Sequence, residues 1–322
     1  MQPIIETRNL VKKFKDVIAV DSVSFKVYRN EIYGLLGPNG AGKTTTINIL
    51  ITLLKPTSGE AYIDGIDVVK KPAEVRKRIG VVFQDPSLDM FLTAYENMYI
   101  HGRIYGLSGR ELEKRIYELL DFVDLKQYAN KVVRYFSGGM RRRLEIARAL
   151  IHEPEILFLD EPTIGLDPQT RNRVWEYITR IKREKGVTIL MTTHYMDEAE
   201  MLCDRIAIMD HGKIIAEGTA DYLKSLVGSD VVIVRFQGQK STCLEPGDGI
   251  LSCKEIMGGV ELIVKDATKI LPRIFEEYEL RGASIAEISY RRPSLNEVFL
   301  HLTGRELRDS LEDTPKPIRR WR

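Results

Sequence analysis

Nine residues, Gly37-Pro38-Asn39-Gly40-Ala41-Gly42-Lys43-Thr44-Thr45, carry the clearest chemistry of the chain. They follow the apolar run Ile32-Tyr33-Gly34-Leu35-Leu36 and lead into Thr46-Ile47-Asn48-Ile49-Leu50. Strand, glycine-rich loop and helix is the order in which backbone N–H groups converge on a phosphate. The glycines let the loop close into a nest, and the helix adds the positive end of its dipole. Lys43 is suited to reach the β- and γ-phosphates, and the Thr44 hydroxyl to ligate Mg²⁺. A nucleoside triphosphate is therefore expected along Asn39, Gly40, Ala41, Gly42, Lys43, Thr44 and Thr45. A glycine-rich turn with an ordinary surface lysine is the bland alternative, and the flanking elements argue against it.

Two carboxylates form a second set. Ile156-Leu157-Phe158-Leu159-Asp160-Glu161 places them at the carboxyl end of an apolar strand, the edge where open α/β sheets bind ligands. Asp160 would hold Mg²⁺ directly or through water, and Glu161 would polarise the water that attacks the γ-phosphate. Alone, such a pair is an ordinary strand-to-loop junction; the loop upstream gives it meaning.

The elements that must position these groups read as an α/β pattern. Strands are expected at 4–10, 17–27, 32–36 and 79–83, the last ending at Gln84, with a hairpin at 61–63 and 66–69 around Asp64-Gly65. From about 85 to 153 the pattern is helical. Ser108-Gly109-Arg110-Glu111 has capping-box spacing ahead of Leu112, Ile116, Leu119 and Leu120. Apolar runs at 156–159, 187–191 and 206–209 read as strands buried on both faces. After about Ser225 the rhythm changes to strands at 231–236, 260–264 and 285–290 with helices at 270–280 and 294–302. The expected layout is a nucleotide domain over 1–226 with a helical subdomain at about 85–153, a small α+β domain over 227–304, and a charged flexible tail over 305–322.

The 322 residues provide ample core for two domains. Apolar content of 43% and charged content of 29% fit a globular chain, and a net charge of +2 gives no reason to expect a nucleic-acid partner. No apolar run approaches the ~18 residues of a membrane span. The N-terminus lacks the pattern of a secretory signal. Cys203, Cys243 and Cys253 form no C-x-x-C and read as incidental thiols of a reduced chain, a Cys243–Cys253 bridge being the alternative.

With these motifs in order, the chain resembles the ATP-binding subunit of an ABC transporter over about residues 4–225. Gln84 resembles the Q-loop glutamine, which the resemblance makes a ligand of Mg²⁺ and water and a sensor toward the membrane partner. Phe136-Ser137-Gly138-Gly139-Met140 resembles the signature motif, Gly165-Leu166-Asp167-Pro168 the D-loop, and His194 in Thr192-Thr193-His194 the switch histidine. Phe14 sits where the family stacks an aromatic ring on adenine. The implied fold is a RecA-like P-loop core with an antiparallel β subdomain and a helical insert. Phe136 and Met140 stand where Leu and Gln are usual, which puts the usual glutamine's hydrogen bond in doubt. Ser137 can cap the following helix. Of Arg141, Arg142 and Arg143 behind it, two are expected on a solvated face.

The resemblance implies that two copies face each other head to tail. ATP and Mg²⁺ on one loop are closed by Ser137 and Gly139 of the other, Asp167 of the D-loop is a further cofactor-binding residue, and Glu161, His194 and Gln84 organise hydrolysis. An ATP-dependent homodimer on the inner face of the cell membrane is implied, bound to separate ABC-2-type membrane-spanning subunits. Leu88, Met90, Phe91, Leu92 and Tyr95 are more apolar than a loop needs, and some of them are expected to dock such a subunit. Pro293-Ser294-Leu295-Asn296-Glu297-Val298-Phe299 and the Met–Arg run after the signature glycines resemble exporters of the daunorubicin-resistance type, which move drugs, lipids or polysaccharide. The alternatives are a soluble ABC ATPase acting on ribosomes or DNA, and a regulator without turnover. The first lacks its usual second cassette or coiled-coil insertion here. The second lacks its usual loss of the carboxylate or histidine.

Overall fold

Strand β1 (Ile5–Phe14) runs four residues past its expected end because its polar second half still pairs with β2 (Val17–Val27). The computed structural model describes residues 2–228, 230–237 and 243–304; the tail expected at 305–322 lies outside them. Next come β3 (Ile32–Leu36), α1 (Lys43–Leu50), β4 (Ser58–Ile63), β5 (Ile66–Asp67), α2 (Pro72–Arg76) and β6 (Ile79–Val82). The helical stretch holds α3 (Ala94–Ile104), α4 (Gly109–Phe122) and α5 (Gly138–Ala149). After it come β7 (Ile156–Asp160), α6 (Pro168–Lys185), β8 (Thr188–Thr193), α7 (Met196–Leu202), β9 (Arg205–Asp210) and β10 (Lys213–Gly218).

An antiparallel sheet of order β2-β1-β4-β5 faces a six-stranded sheet of order β10-β9-β3-β8-β7-β6, parallel except for β10. Ile5, Val23 and Val27 from the first sheet join Tyr33, Leu35 and Phe158 from the second and Ile47 and Leu50 of α1 in one buried cluster. Every residue of β3, β7 and β8 is buried, as continuous apolar runs require of strands covered on both faces. This is the expected P-loop α/β core with its antiparallel subdomain and helical insert.

Strand β10 was not expected. It follows a two-residue turn in which His211 and Gly212 both have positive φ, +45° and +80°, the geometry that joins tight hairpins. The capping box expected at Ser108 does not form. Gly109 has φ +62°, which spoils the first turn, and Glu111 accepts from Arg115 at 3.2 Å instead. Thr93 with Glu96 makes such a box at the start of α3. No helix among the described residues is long and apolar enough to cross a membrane.

The chain divides between Ala220 and Asp221 into two compact units. α8 (Ala220–Ser225) lies at that division. The second unit holds β11 (Asp230–Phe236), β12 (Ile250–Ile256), β13 (Gly259–Val264), α9 (Ala267–Leu280), β14 (Ile285–Arg291) and α10 (Leu295–Thr303). Its antiparallel sheet has the order β12-β13-β11-β14, with Val232, Val234, Val260 and Leu262 packed with Ile274 and Tyr278 of α9. Edge strand β12, polar and half exposed, escaped the sequence reading. Cys253 on this strand and Cys243 have Cα atoms 5.5 Å apart and are joined as a disulfide. This corrects the expectation of reduced thiols; Cys203 alone is free and buried among the described residues.

Candidate active site

The loop after β3 is shaped by close approach. A Cβ on Gly37 would lie 2.2 Å from the Met209 carbonyl oxygen, and one on Gly42, whose φ is +101°, 2.3 Å from that of Ala19. No bulkier residue fits between β9 and β2 at these points. Gly42 is also the N-cap of α1 and has no side chain to occupy the first helical N–H groups. The loop borders a cavity of about 680 Å³. Asn39, Gly40, Ala41, Lys43, Thr44 and Thr45 line it together with Gly42. Phe14, 44% exposed, lines the same cavity, with Lys12 Nζ 4.9 Å from its ring centre. Gln84 and Glu161 line it as well.

Behind the cavity the charged groups interlock. Lys43 is only 4% exposed; its ammonium donates to the carbonyls of Gly37 (2.7 Å) and Pro38 (3.0 Å) and lies 3.7 Å from Glu161 Oε1. Burial pulls the lysine pKa down, and Glu161 and Asp160 resist that pull. The Thr44 hydroxyl donates to Asp160 Oδ1 at 3.1 Å, and the Thr192 hydroxyl to the same oxygen at 2.5 Å. Burial raises the Asp160 pKa against these two hydrogen bonds. Glu161 follows β7 in the left-handed region, φ +46°, with its N–H donated to Thr192 Oγ1 at 3.0 Å. Burial pushes its carboxyl up, but His194, whose Nδ1 is 3.3 Å from Oε1, and Lys43 outweigh that and hold it below the usual range.

One chain thus brings together the loop, Phe14, Gln84 and the Asp160–Glu161–His194 group. Ser137, Gly139 and Asp167 do not line this cavity. Ser137 caps α5 by accepting from Met140 N at 3.2 Å, and Asp167 caps α6 by accepting from Thr170 N at 3.0 Å. The two ends pack closely: a Cβ on Gly139 would lie 2.2 Å from Thr170 Cγ2.

The expectation of two solvated arginines is wrong. Arg141 donates to Phe136 O and Arg143 to Val123 O, while Arg142 is buried and donates to the carbonyls of Phe83, Asp160, Glu161 and Pro162. Backbone carbonyls draw these cations inward, and a run of three arginines carries no mark of that in sequence. Thr192 was also missed as a site residue; its place two residues before His194 at a strand end was the available signal. His211, on the β9–β10 turn, lines the cavity and was signalled only by the Asp-His-Gly turn.

Residues 20–164 match the family model for ABC transporter, and residues 218–303 match that for ATP-binding protein DrrA1-3-like, C-terminal domain. The daunorubicin resistance ATP-binding protein DrrA3 of Streptomyces coeruleorubidus is 42% identical, the match covering 92% of this chain and 95% of that one. The Nod factor export ATP-binding protein I of Cupriavidus pinatubonensis is 41% identical, with 95% and 92% covered. Among solved structures, the dimeric ATP-binding cassette MJ0796 bound to ADP and Pi matches with a TM-score of 0.61 and 32% identity, covering 67% of this chain and 98% of that one. The chain belongs to the ATP-binding subunits of ABC transporters, in their daunorubicin-resistance group, and is an ATPase.

Proposed function

We propose that this ATPase drives export through separate ABC-2-type membrane-spanning subunits, working as an ATP-dependent homodimer on the inner face of the cell membrane. The supporting observation is the Lys43–Glu161–His194 contact beside Thr44 and Asp160 at the wall of the glycine-rich loop. The relatives' names, daunorubicin resistance and Nod factor export, favour drug, lipid or polysaccharide as the class of cargo. Phe91, 79% exposed, with Ile100 and Ile104 on α3, is the apolar surface we assign to the membrane subunit. Leu88 is excluded from it, being buried.

Thr44 and Asp160 offer hard oxygen donors 3.1 Å apart, a set that fits Mg²⁺, with Gln84 assigned as a further ligand. When bound, the ion would neutralise charge on the β- and γ-phosphates. Phe14 stacks on adenine, and the loop N–H groups and Lys43 bind the phosphates. Glu161, kept as carboxylate by Lys43 and His194, takes a proton from water as its oxygen attacks the γ-phosphorus. The bond from that phosphorus to the β–γ bridging oxygen breaks, and ADP and phosphate result. Ser137, Gly139 and Asp167 serve the partner copy's nucleotide.

Glu161→Gln tests this reading. It keeps the shape of the side chain and loses the base. ATP binding is expected to persist, phosphate release to fall by about 10²–10⁴-fold, and an ATP-bound dimer to accumulate on size-exclusion chromatography. A variant that binds ATP and stays monomeric would rule out the two-copy site.

A further inference from the structure

Arg142 is 6% exposed and uses every N–H of its guanidinium. Nε donates to Pro162 O (2.6 Å), and Nη2 to Asp160 O (3.1 Å) and Glu161 O (3.0 Å). Nη1 donates to Phe83 O (2.5 Å) and to Glu145 Oε2 (3.1 Å). One side chain from the first turns of α5 therefore grips three consecutive carbonyls at the end of β7, those of Asp160, Glu161 and Pro162, and the carbonyl just before Gln84.

The same helix holds the other end of the Gln84 segment. Glu145 Oε1 accepts from Ser87 N at 2.8 Å, and Arg148 Nη1 donates to Ser87 O at 2.7 Å. Residues 83–87 are thus pinned to α5 at both ends. Glu161 is pinned from two sides as well: Thr192 of β8 takes its N–H, and Arg142 of α5 takes its carbonyl. A non-glycine residue at φ +46° persists where its surroundings over-determine it. A guanidinium is costly to bury, so the site is committed to satisfying it in full.

We propose that Arg142 is the positioning residue of the catalytic carboxylate, holding Glu161 in its left-handed conformation and tying that conformation to the Gln84 segment through α5. This rests on the reading of Glu161 as the group that takes the proton from water. Displacement of α5 or of the Gln84 segment then displaces the Glu161 carbonyl directly, with no intervening loop. A lysine at 142 has one nitrogen and cannot reach Phe83 on one side and Pro162 on the other.

Four proteins test it in the full chain: the parent, Glu161→Gln, Arg142→Lys, and Arg142→Met with Glu145→Gln. The double change removes the buried cation and the anion facing it, and retains an acceptor for Ser87 N. Melting temperature, ATP binding stoichiometry and affinity, kcat and KM are measured for each. Both Arg142 variants are expected to bind ATP at full stoichiometry with KM within about threefold of the parent, while kcat falls roughly 10–100-fold, as a slightly misplaced base would give. The loss in Arg142→Lys should be the smaller of the two. Stoichiometric ATP binding with an undiminished kcat in either variant overturns the proposal. So does a parallel loss of binding and turnover in Arg142→Lys, which marks a merely structural tie, and that variant decides alone if the double change does not fold. Glu161→Gln separates the two readings: if it turns over like the parent, the assignment of Glu161 fails, whatever Arg142 does.

Discussion

At the scale of single residues, the site depends on atoms that serve two partners. Thr192 Oγ1 donates to Asp160 and accepts from the Glu161 N–H. Thr192→Val keeps the shape and leaves that buried N–H without an acceptor, a loss of about 1–3 kcal/mol. The variant is expected to unfold at lower urea and to lose kcat by tenfold or more with ATP affinity nearly kept; equal activity would show that Asp160 and Glu161 need no such bracket. The glycine-rich loop was legible in sequence, because Gly37, Gly42, Lys43 and Thr44 are demanded by type and spacing. Thr192 and Arg142 were not, because their partners are distant in sequence: Thr192 bonds the Asp160 carboxylate and the Glu161 N–H, and Arg142 mostly backbone carbonyls, which leave no trace in the partner's residue type.

At the scale of elements, strands buried on both faces were legible, and two of the sheet edges, β10 and β12, were not. Strand β7 announces itself by an unbroken apolar run, whereas β10 and β12 lie at edges and carry Lys, Glu and Ser on their open sides. The start of α5 shows how tightly elements fit once formed. Gly139→Ala would drive a methyl into Thr170 Cγ2, and overpacking of this kind costs about 1–3 kcal/mol. Thr170→Ser removes that methyl group but keeps the hydroxyl bonded to Asp167 Oδ2 at 2.6 Å. The double variant is therefore expected to be more stable than Gly139→Ala alone, a non-additivity that urea unfolding reads directly. Helix α9 gives a pH prediction. Its cap Asp266 accepts from Thr268 and pairs with Lys269, which hold the carboxyl pKa down at about 2. A lowered folded-state pKa stabilises above the unfolded value of ~3.9 and loses that stabilisation as pH falls toward 2. The advantage of the parent over Asp266→Ala should be full at pH 6 and fade between pH 4 and 2 in urea midpoints; an advantage that grows on acidification contradicts the cap.

At the scale of the whole molecule, each of the two compact units has its own cluster of buried apolar residues. Residues from β1 through β10 bury one cluster around Tyr33, Leu35 and Phe158, and the second unit buries another around Val232, Leu262 and Tyr278. The residues lining the cavity beside the glycine-rich loop, from Phe14 to His211, all belong to the first unit. None of the hydrogen bonds and ion pairs described for Lys43, Asp160 or Glu161 involves a residue beyond His194. A chain ending at Leu226 keeps α8 and the whole first core, so it is expected to fold and to bind ATP within about threefold of the parent affinity. We assign the second unit to assembly, so the shortened chain carrying Glu161→Gln should need more protein to form its ATP-bound dimer. Equilibrium binding of ATP to the shortened chain, followed by size-exclusion chromatography across a concentration series, separates the two expectations. Loss of binding would mean that the first core depends on residues beyond 226, and an unchanged dimerisation midpoint would remove the second unit from assembly.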